Sequence, residues 1–147
     1  MKGKRMSLDY ISYEDAKEKF NWKERWSLFD GTKEHFNIAH ECIDRHPPDE
    51  TAIRIKFADG RSEMYTFGQF SEYTCRFANY LEKKEIKFGD KVVILLFPSI
   101  ELYVSMFGLF RRGAVAVMCF PLFGPEAINF RLSKSGAKAI VTTRAMA

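Results

Sequence analysis

The chain has 147 residues, 46% hydrophobic and 29% charged, with a net charge of +4. That length suits one ordinary domain with a real core, and the composition excludes a disordered chain. The positive excess lies near the C-terminal end, where residues 101–147 carry 6 Lys/Arg against 2 Asp/Glu. It forms no basic run and is not interleaved with aromatics, so no nucleic acid partner is expected.

Taken in order, Met1 to Ser7 is basic but leads into polar sequence without the apolar core of a signal peptide, so a cytoplasmic setting is expected. Trp22, Trp26 and Phe29, spaced by four and three, predict one apolar helical face within Ser12–Phe29. Residues 1–35 thus read as a helical lead-in that docks on a larger body. Asp30-Gly31 is a turn signal. Asn37 to His46 reads as a short amphipathic helix, with Ile38, Cys42 and Ile43 on one side, stopped by Pro47-Pro48. Thr51–Phe57 and Arg61–Thr66 flank Ala58-Asp59-Gly60 and predict a β-hairpin. Thr66 and Gln69 fit a capping box opening a helix through Phe70, Tyr73, Phe77, Ala78 and Leu81, ending near Lys84.

From Gly89 onward the pattern changes to strand, helix, strand, helix, strand. Val92 to Phe97 is an apolar run without polar alternation, as a strand buried on both faces requires. Pro98 ends it and Ser99 caps a helix whose first turn holds Glu101 and whose last turn holds Arg111-Arg112 before Gly113. A second apolar run precedes Gly124-Pro125-Glu126, the start of a helix stopped by Gly136, and Ala139–Thr142 is the third run. The class is therefore α/β, with parallel strands near 91–97, 114–120 and 138–142 and covering helices. Val92 to Phe110 is 19 residues with one charge, yet Pro98 and Glu101 fall where a membrane span would tolerate neither, so no span is expected.

Most chemical constellations fail on spacing. His40-Glu41 lacks the second histidine of a zinc helix, since position 44 is Asp44, and His35, His40 and His46 do not share i,i+4 spacing. There is no Gly-x-Ser-x-Gly elbow and no Walker lysine loop. Ser133 to Lys138 sits at a helix end, which fits a C-cap better than a phosphate loop. Glu101 and Glu126 are explained by their first-turn positions. Cys42, Cys75 and Cys119 have no metal or redox spacing and read as buried free thiols of a reducing compartment.

The ordered set Tyr65-Thr66-Phe67-Gly68-Gln69-Phe70, Phe88 to Leu96, Pro98-Ser99-Ile100-Glu101, Arg112-Gly113-Ala114-Val115 and Phe123 to Ala127 has a family likeness. With Arg131-Leu132, Ser135 to Lys138, Ile140-Val141-Thr142, and upstream Phe36 to Ala39 and Asp44-Arg45-His46, it resembles the start of an AMP-forming acyl-CoA synthetase. These enzymes belong to the ANL superfamily of adenylate-forming enzymes, and the likeness is to the branch handling short- and medium-chain or aromatic acids. It implies that residues 36–147 are the first, incomplete part of the AMP-binding N-terminal domain.

In that family a carboxylic acid and ATP give an acyl-adenylate, and the acyl group passes to coenzyme A. ATP, Mg2+ and CoA are thus the implied cofactors of the parent enzyme. The phosphate loop, the metal- and ribose-binding acids and the catalytic Lys of the family lie later than any residue here, so no catalytic residue or metal ligand is assigned and tight binding of those cofactors is not expected. The resemblance places Leu122, Phe123 and Gly124 beside the path by which CoA enters, the alternative being a loop that only caps its helix. The implied partner is the remainder of the synthetase or a complementing chain. The other reading is a non-catalytic interaction module that docks on a partner, or a subunit of a split synthetase, with exposed apolar surface also open to self-association.

Overall fold

The structure, a computed structural model, describes residues 12–146. The basic Met1–Ser7 stretch lies outside the described residues. Two compact units are present, Met1–Phe36 and Asn37–Ala147.

In the first unit, helix α1 spans Tyr13–Lys19, with Ser12 as N-cap accepting from the Asp15 amide. A 3-10 stretch, Trp22–Leu28, follows. The expected single face of Trp22, Trp26 and Phe29 does not form. With three residues per turn, positions four apart diverge and positions three apart align. Trp22 is accordingly 71% exposed and sits edge-on to Phe20, whereas Trp26 meets Phe29 at 6.0 Å and Phe36 at 5.8 Å.

The second unit opens with a helical turn that differs from the amphipathic α-helix expected at 37–46. Asn37 caps it by accepting from the Ala39 amide, but His40–Asp44 is π-helical, closed by the Arg45 amide on the His40 carbonyl. The wider turn buries Ala39, Glu41 and Ile43 and turns Cys42 outward. Cys75 is also exposed, so of the three thiols only Cys119 is buried. Glu41 is tolerated inside because Arg45 pairs with it.

Strands β1 (Thr51–Lys56) and β2 (Ser62–Thr66) form the expected antiparallel hairpin. Helix α2 (Phe67–Lys83) begins with the capping box in place: the Gln69 amide bonds the Thr66 hydroxyl, and the Gln69 side chain accepts from the Thr66 amide. Strand β3 (Lys91–Leu95), helix α3 (Ile100–Arg111), strand β4 (Val115–Met118), helix α4 (Pro125–Ser135) and strand β5 (Ala139–Thr142) complete the chain. All three strands run parallel, in the order β4–β3–β5. β3 and β4 end two residues earlier than expected, whereas β5 ends at Thr142 as expected: Phe97 is 52% exposed, and at the end of β4 the Phe123 amide turns back to the Phe120 carbonyl. The apparent 19-residue apolar span is strand, loop and helix, and among the described residues no helix is long and apolar enough to cross a membrane.

β3 is the axis of the unit. Val92, Ile94 and Leu96 face Leu81, Ile86 and Leu109 under α2 and α3, while Val93 and Leu95 face Cys119, Ile128 and Leu132 under α4. Helices therefore cover both faces. Each fully buried aliphatic side chain here contributes roughly 1.5–3 kcal/mol. Gly113 and Gly136 end α3 and α4 with φ of 65° and 64°, the left-handed region glycine adopts without steric cost.

α2 and α3 approach closely at Gly108. A Cβ there would lie 2.6 Å from Phe77 Cδ1 and 3.3 Å from the Thr74 carbonyl oxygen. The same pair is clamped by Arg111. Its guanidinium donates to Asp44 Oδ2 at 2.7 Å and Asp44 Oδ1 at 2.6 Å, and to Thr74 Oγ1 at 2.9 Å. The Ser71 hydroxyl donates to Asp44 at 2.7 Å, so one fork ties α3 to α2 and to the π-helical turn. Partial burial pushes the Asp44 carboxyl up, but hydrogen bonds from Arg111 and Ser71 outweigh it and hold the group below the usual carboxylate range.

Two outcomes follow. Gly108→Ala gains about 1 kcal/mol of helix propensity but overpacks the helix contact at about 1–3 kcal/mol, so thermal denaturation should show net destabilisation. A carboxyl with a depressed folded pKa stabilises above its unfolded value of about 4, and that contribution disappears as pH falls through the folded pKa. Acid titration of the fold should therefore be less steep below about pH 4 in Asp44→Asn, from a lower stability at neutral pH.

Candidate functional site

The two crossovers run in opposite senses across the sheet, the first from β3 to the adjacent β4 and the second from β4 past β3 to β5. α3 carries the chain along one face to β4, and α4 carries it along the other face to β5. Between β3 and β5 lies a topological switch point, and open parallel sheets bind their ligands outside the strand C-terminal ends at such a point. A cleft of about 860 Å³ opens there. Its floor is Leu96 and Phe97 at the end of β3 and Val141, Thr142 and Thr143 at the end of β5. Ser99, Ile100, Glu101, Val104 and Ser105 of α3 form one wall, and Tyr65, Tyr73 and Phe77 form the other.

Local chemistry sets each wall. Ser99 turns the chain from strand to helix by accepting from the Leu102 amide at 3.4 Å, which places the first turn of α3 over the cleft. Tyr65 projects from the end of β2 and meets Tyr73 edge-on at 6.3 Å. Its hydroxyl donates to Glu63 at 2.7 Å. That bond to a carboxylate, with some burial and the charges of Glu63 and Glu101, pushes the phenol up to about 12. The cleft is thus mainly apolar, with one carboxylate, Glu101, and four Ser/Thr residues, Ser99, Ser105, Thr142 and Thr143, in its lining. Ser105 is 3% exposed, and Thr142 Oγ1 is buried without a hydrogen-bond partner.

The loop after β4 occupies the same end of the sheet. Leu122 is 71% exposed and Phe123 is half-buried. Gly124 is the N-cap of α4 with φ of −67°, a conformation open to any residue, and a Cβ there would touch nothing within 4 Å. The Arg131 guanidinium lies 4.0 Å over the Phe123 ring and donates to the Ala127 carbonyl at 2.9 Å, while Phe120 meets Phe123 edge-on at 5.9 Å. Sequence reasoning found the loop but missed this brace, although Arg131 stands two helical turns from Phe123. It also missed the cleft, whose walls come from four separate stretches of chain. Glu101 lines the cleft; Glu126 is exposed in the first turn of α4. Among the described residues no three His, Cys, Asp or Glu side chains converge as a metal site.

Residues 39–147 match the family described as AMP-binding enzyme. The chain belongs to that family. Curated relatives include the acetyl-coenzyme A synthetase of Pasteurella multocida, 32% identical over 93% of this chain and 23% of its own length. The acetyl-coenzyme A synthetase of Bacillus subtilis is 34% identical over 90% of this chain and 24% of its own. Among solved structures, an acyl-CoA synthetase of Brucella canis is 33% identical, with a TM-score of 0.84 over 90% of this chain and 25% of that one. A benzoate CoA ligase of Burkholderia xenovorans shares the fold at 22% identity and a TM-score of 0.65. The chain thus spans roughly a quarter of the length of these family members. The parallel α/β arrangement expected from sequence is the one found in the N-terminal domains of acyl-CoA synthetases.

Replacing Arg131 by Gln keeps helix propensity but removes the cation over the ring. The expected loss is about 0.5–1 kcal/mol, with higher protease sensitivity of the 120–125 loop, read by thermal denaturation and limited proteolysis.

Proposed function

We propose that this chain forms the opening portion of the N-terminal domain of an AMP-forming acyl-CoA synthetase acting on a short- or medium-chain or aromatic carboxylic acid. The observation that carries this reading is the 33% identity and TM-score of 0.84 to a solved acyl-CoA synthetase over 90% of the chain. Residues 1–35 are a lead-in and residues 36–147 the first part of the AMP-binding domain. The whole enzyme would use ATP and Mg2+ to form an acyl-adenylate and CoA to accept the acyl group.

The residues of this chain offer those groups little. A nucleoside triphosphate needs a cradle of backbone N–H groups and a cation, and a Mg2+ ion needs carboxylate oxygens. The sequence has no phosphate loop, and the described residues gather no acidic cluster. ATP and Mg2+ chemistry therefore belongs to parts of the relatives outside the matched segment. For CoA, Leu122, Phe123 and Gly124 border the access path; the exposure of Leu122 and the braced Phe123 ring support this, since a planar base stacks on such a surface. The partner is the remaining synthetase polypeptide, with self-association through exposed apolar side chains as the competing outcome. Three cysteines without disulfides fit a cytoplasmic setting.

Purified 147-residue chain should give no ATP–pyrophosphate exchange above the blank with acetate, butyrate or benzoate. Exchange by this polypeptide alone would overturn the assignment of the chemistry to other parts of the enzyme.

A further inference from the structure

We propose that the end of the sheet where the parallel strands begin, opposite the cleft, docks on an anionic lipid bilayer, with the Lys87–Asp90 turn entering the headgroup layer. Parallel strands with returning helices bring helix C-termini to this end, where the dipole favours cations. The Val115 amide bonds the Asp90 carbonyl and the Lys138 amide bonds the Lys91 carbonyl, each at 2.8 Å, so the three strands start side by side. Lys83 and Lys134 lie in the last turns of α2 and α4, Lys84 caps α2, and Lys91 and Lys138 flank strand starts, all of them exposed. Of the acids here, Glu82 pairs with Arg112 at 3.3 Å and Asp90 with Lys138 at 2.9 Å. That leaves Lys83, Lys84, Lys87 and Lys91 facing water with Glu85 against them.

Among these cations one large apolar side chain stands in water. Phe88 is 88% exposed. The Asp90 amide bonds the Lys87 carbonyl at 3.1 Å and Gly89 has φ of 79°, the geometry of a type II turn with Phe88 at its corner. The Asp90 carboxylate accepts from the Lys87 amide at 2.7 Å, and the Gly89 amide donates to the Gly113 carbonyl at 2.9 Å. The Phe88 ring rests on Gly113, where any Cβ would collide with it, while Gly89 faces open space. The turn is therefore fixed before it meets a partner, which lowers the ordering cost of binding. Tyr80, 52% exposed with Lys84 Nζ 5.6 Å from its ring, adds a second amphipathic group at this end. A projecting phenyl flanked by lysines suits an anionic leaflet: the ring reaches the acyl boundary while the ammonium groups stay among the phosphates. Single-stranded nucleic acid would need a row of aromatics along a basic groove, whereas here one ring stands on a turn.

The test is co-sedimentation of the 147-residue chain with vesicles of phosphatidylcholine, alone or with about 30% phosphatidylserine. Binding is expected to the anionic vesicles and not to the neutral ones, and it should fall as salt rises. Lys87→Gln should weaken it about fivefold and Phe88→Ala about tenfold, with melting temperatures close to the parent's because both side chains are exposed. Phe88→Trp should bind as the parent does, and its emission should shift to the blue on anionic vesicles by more than that of the parent, which holds Trp22 and Trp26. Absence of binding, or equal binding to neutral vesicles, overturns the proposal. Anionic binding that survives both Lys87→Gln and Phe88→Ala also overturns it, by placing the contact elsewhere on the chain. So does binding of single-stranded RNA, without vesicle binding, that both substitutions weaken, or a lipid-free dimer that Phe88→Ala abolishes, which would make a second copy the occupant.

Discussion

Burial of β3 on both faces is the constraint from which the second unit follows. Five consecutive residues, Val92 to Leu96, are buried, and a strand with no polar side can exist only between two covering layers. α3 supplies one layer and α4 the other, which forces the two crossovers to diverge and puts a switch point at the β3 and β5 ends. The ligand edge is thus a by-product of how one apolar strand is kept dry.

The clamp at Arg111 works at the opposite end of α3. A cation in the last turn of a helix needs no special partner, since the dipole already favours it. Here the guanidinium instead spans three elements, taking Asp44 bidentately and Thr74 from the side. Bidentate geometry is what arginine offers and lysine does not. With Gly108 allowing α2 to lie against α3, the clamp fixes the tilt of α3 and hence the direction in which its first turn overlooks the cleft.

The site end is chemically quiet for a physical reason. Hydroxyls, tyrosines and one carboxylate in an apolar cleft can recognise and pack, but they include no poised nucleophile, no base beside one, and no gathered metal ligands. The chain belongs to a family of AMP-binding enzymes while spanning about a quarter of the relatives' length. A scaffold that positions loops and leaves a strand edge open is consistent with both facts.

Much of this was legible in the chain itself. The hairpin, the Thr66–Gln69 capping box, the Ser99 and Gly124-Pro125 helix starts, and the Gly113 and Gly136 stops are set by side-chain hydrogen bonds and backbone freedom within a few residues. The parallel α/β class followed from apolar runs separated by helix-length segments, and the family from the order of those segments. What sequence could not determine depended on distant partners. The π-helical turn at His40–Asp44 and the outward Cys42 reflect a local choice between helix types of similar energy, settled where Asp44 meets Arg111, 67 residues away. The 3-10 stretch at Trp22 is an analogous choice that a period-of-four reading misjudged. The cleft exists only where four separated stretches meet, and an orphan hydroxyl such as Thr142 is recognisable only once its surroundings are known. Local rules decide elements because their energies are local; the sheet order, the clamp and the open edge belong to tertiary structure because their energies lie between residues far apart in the chain.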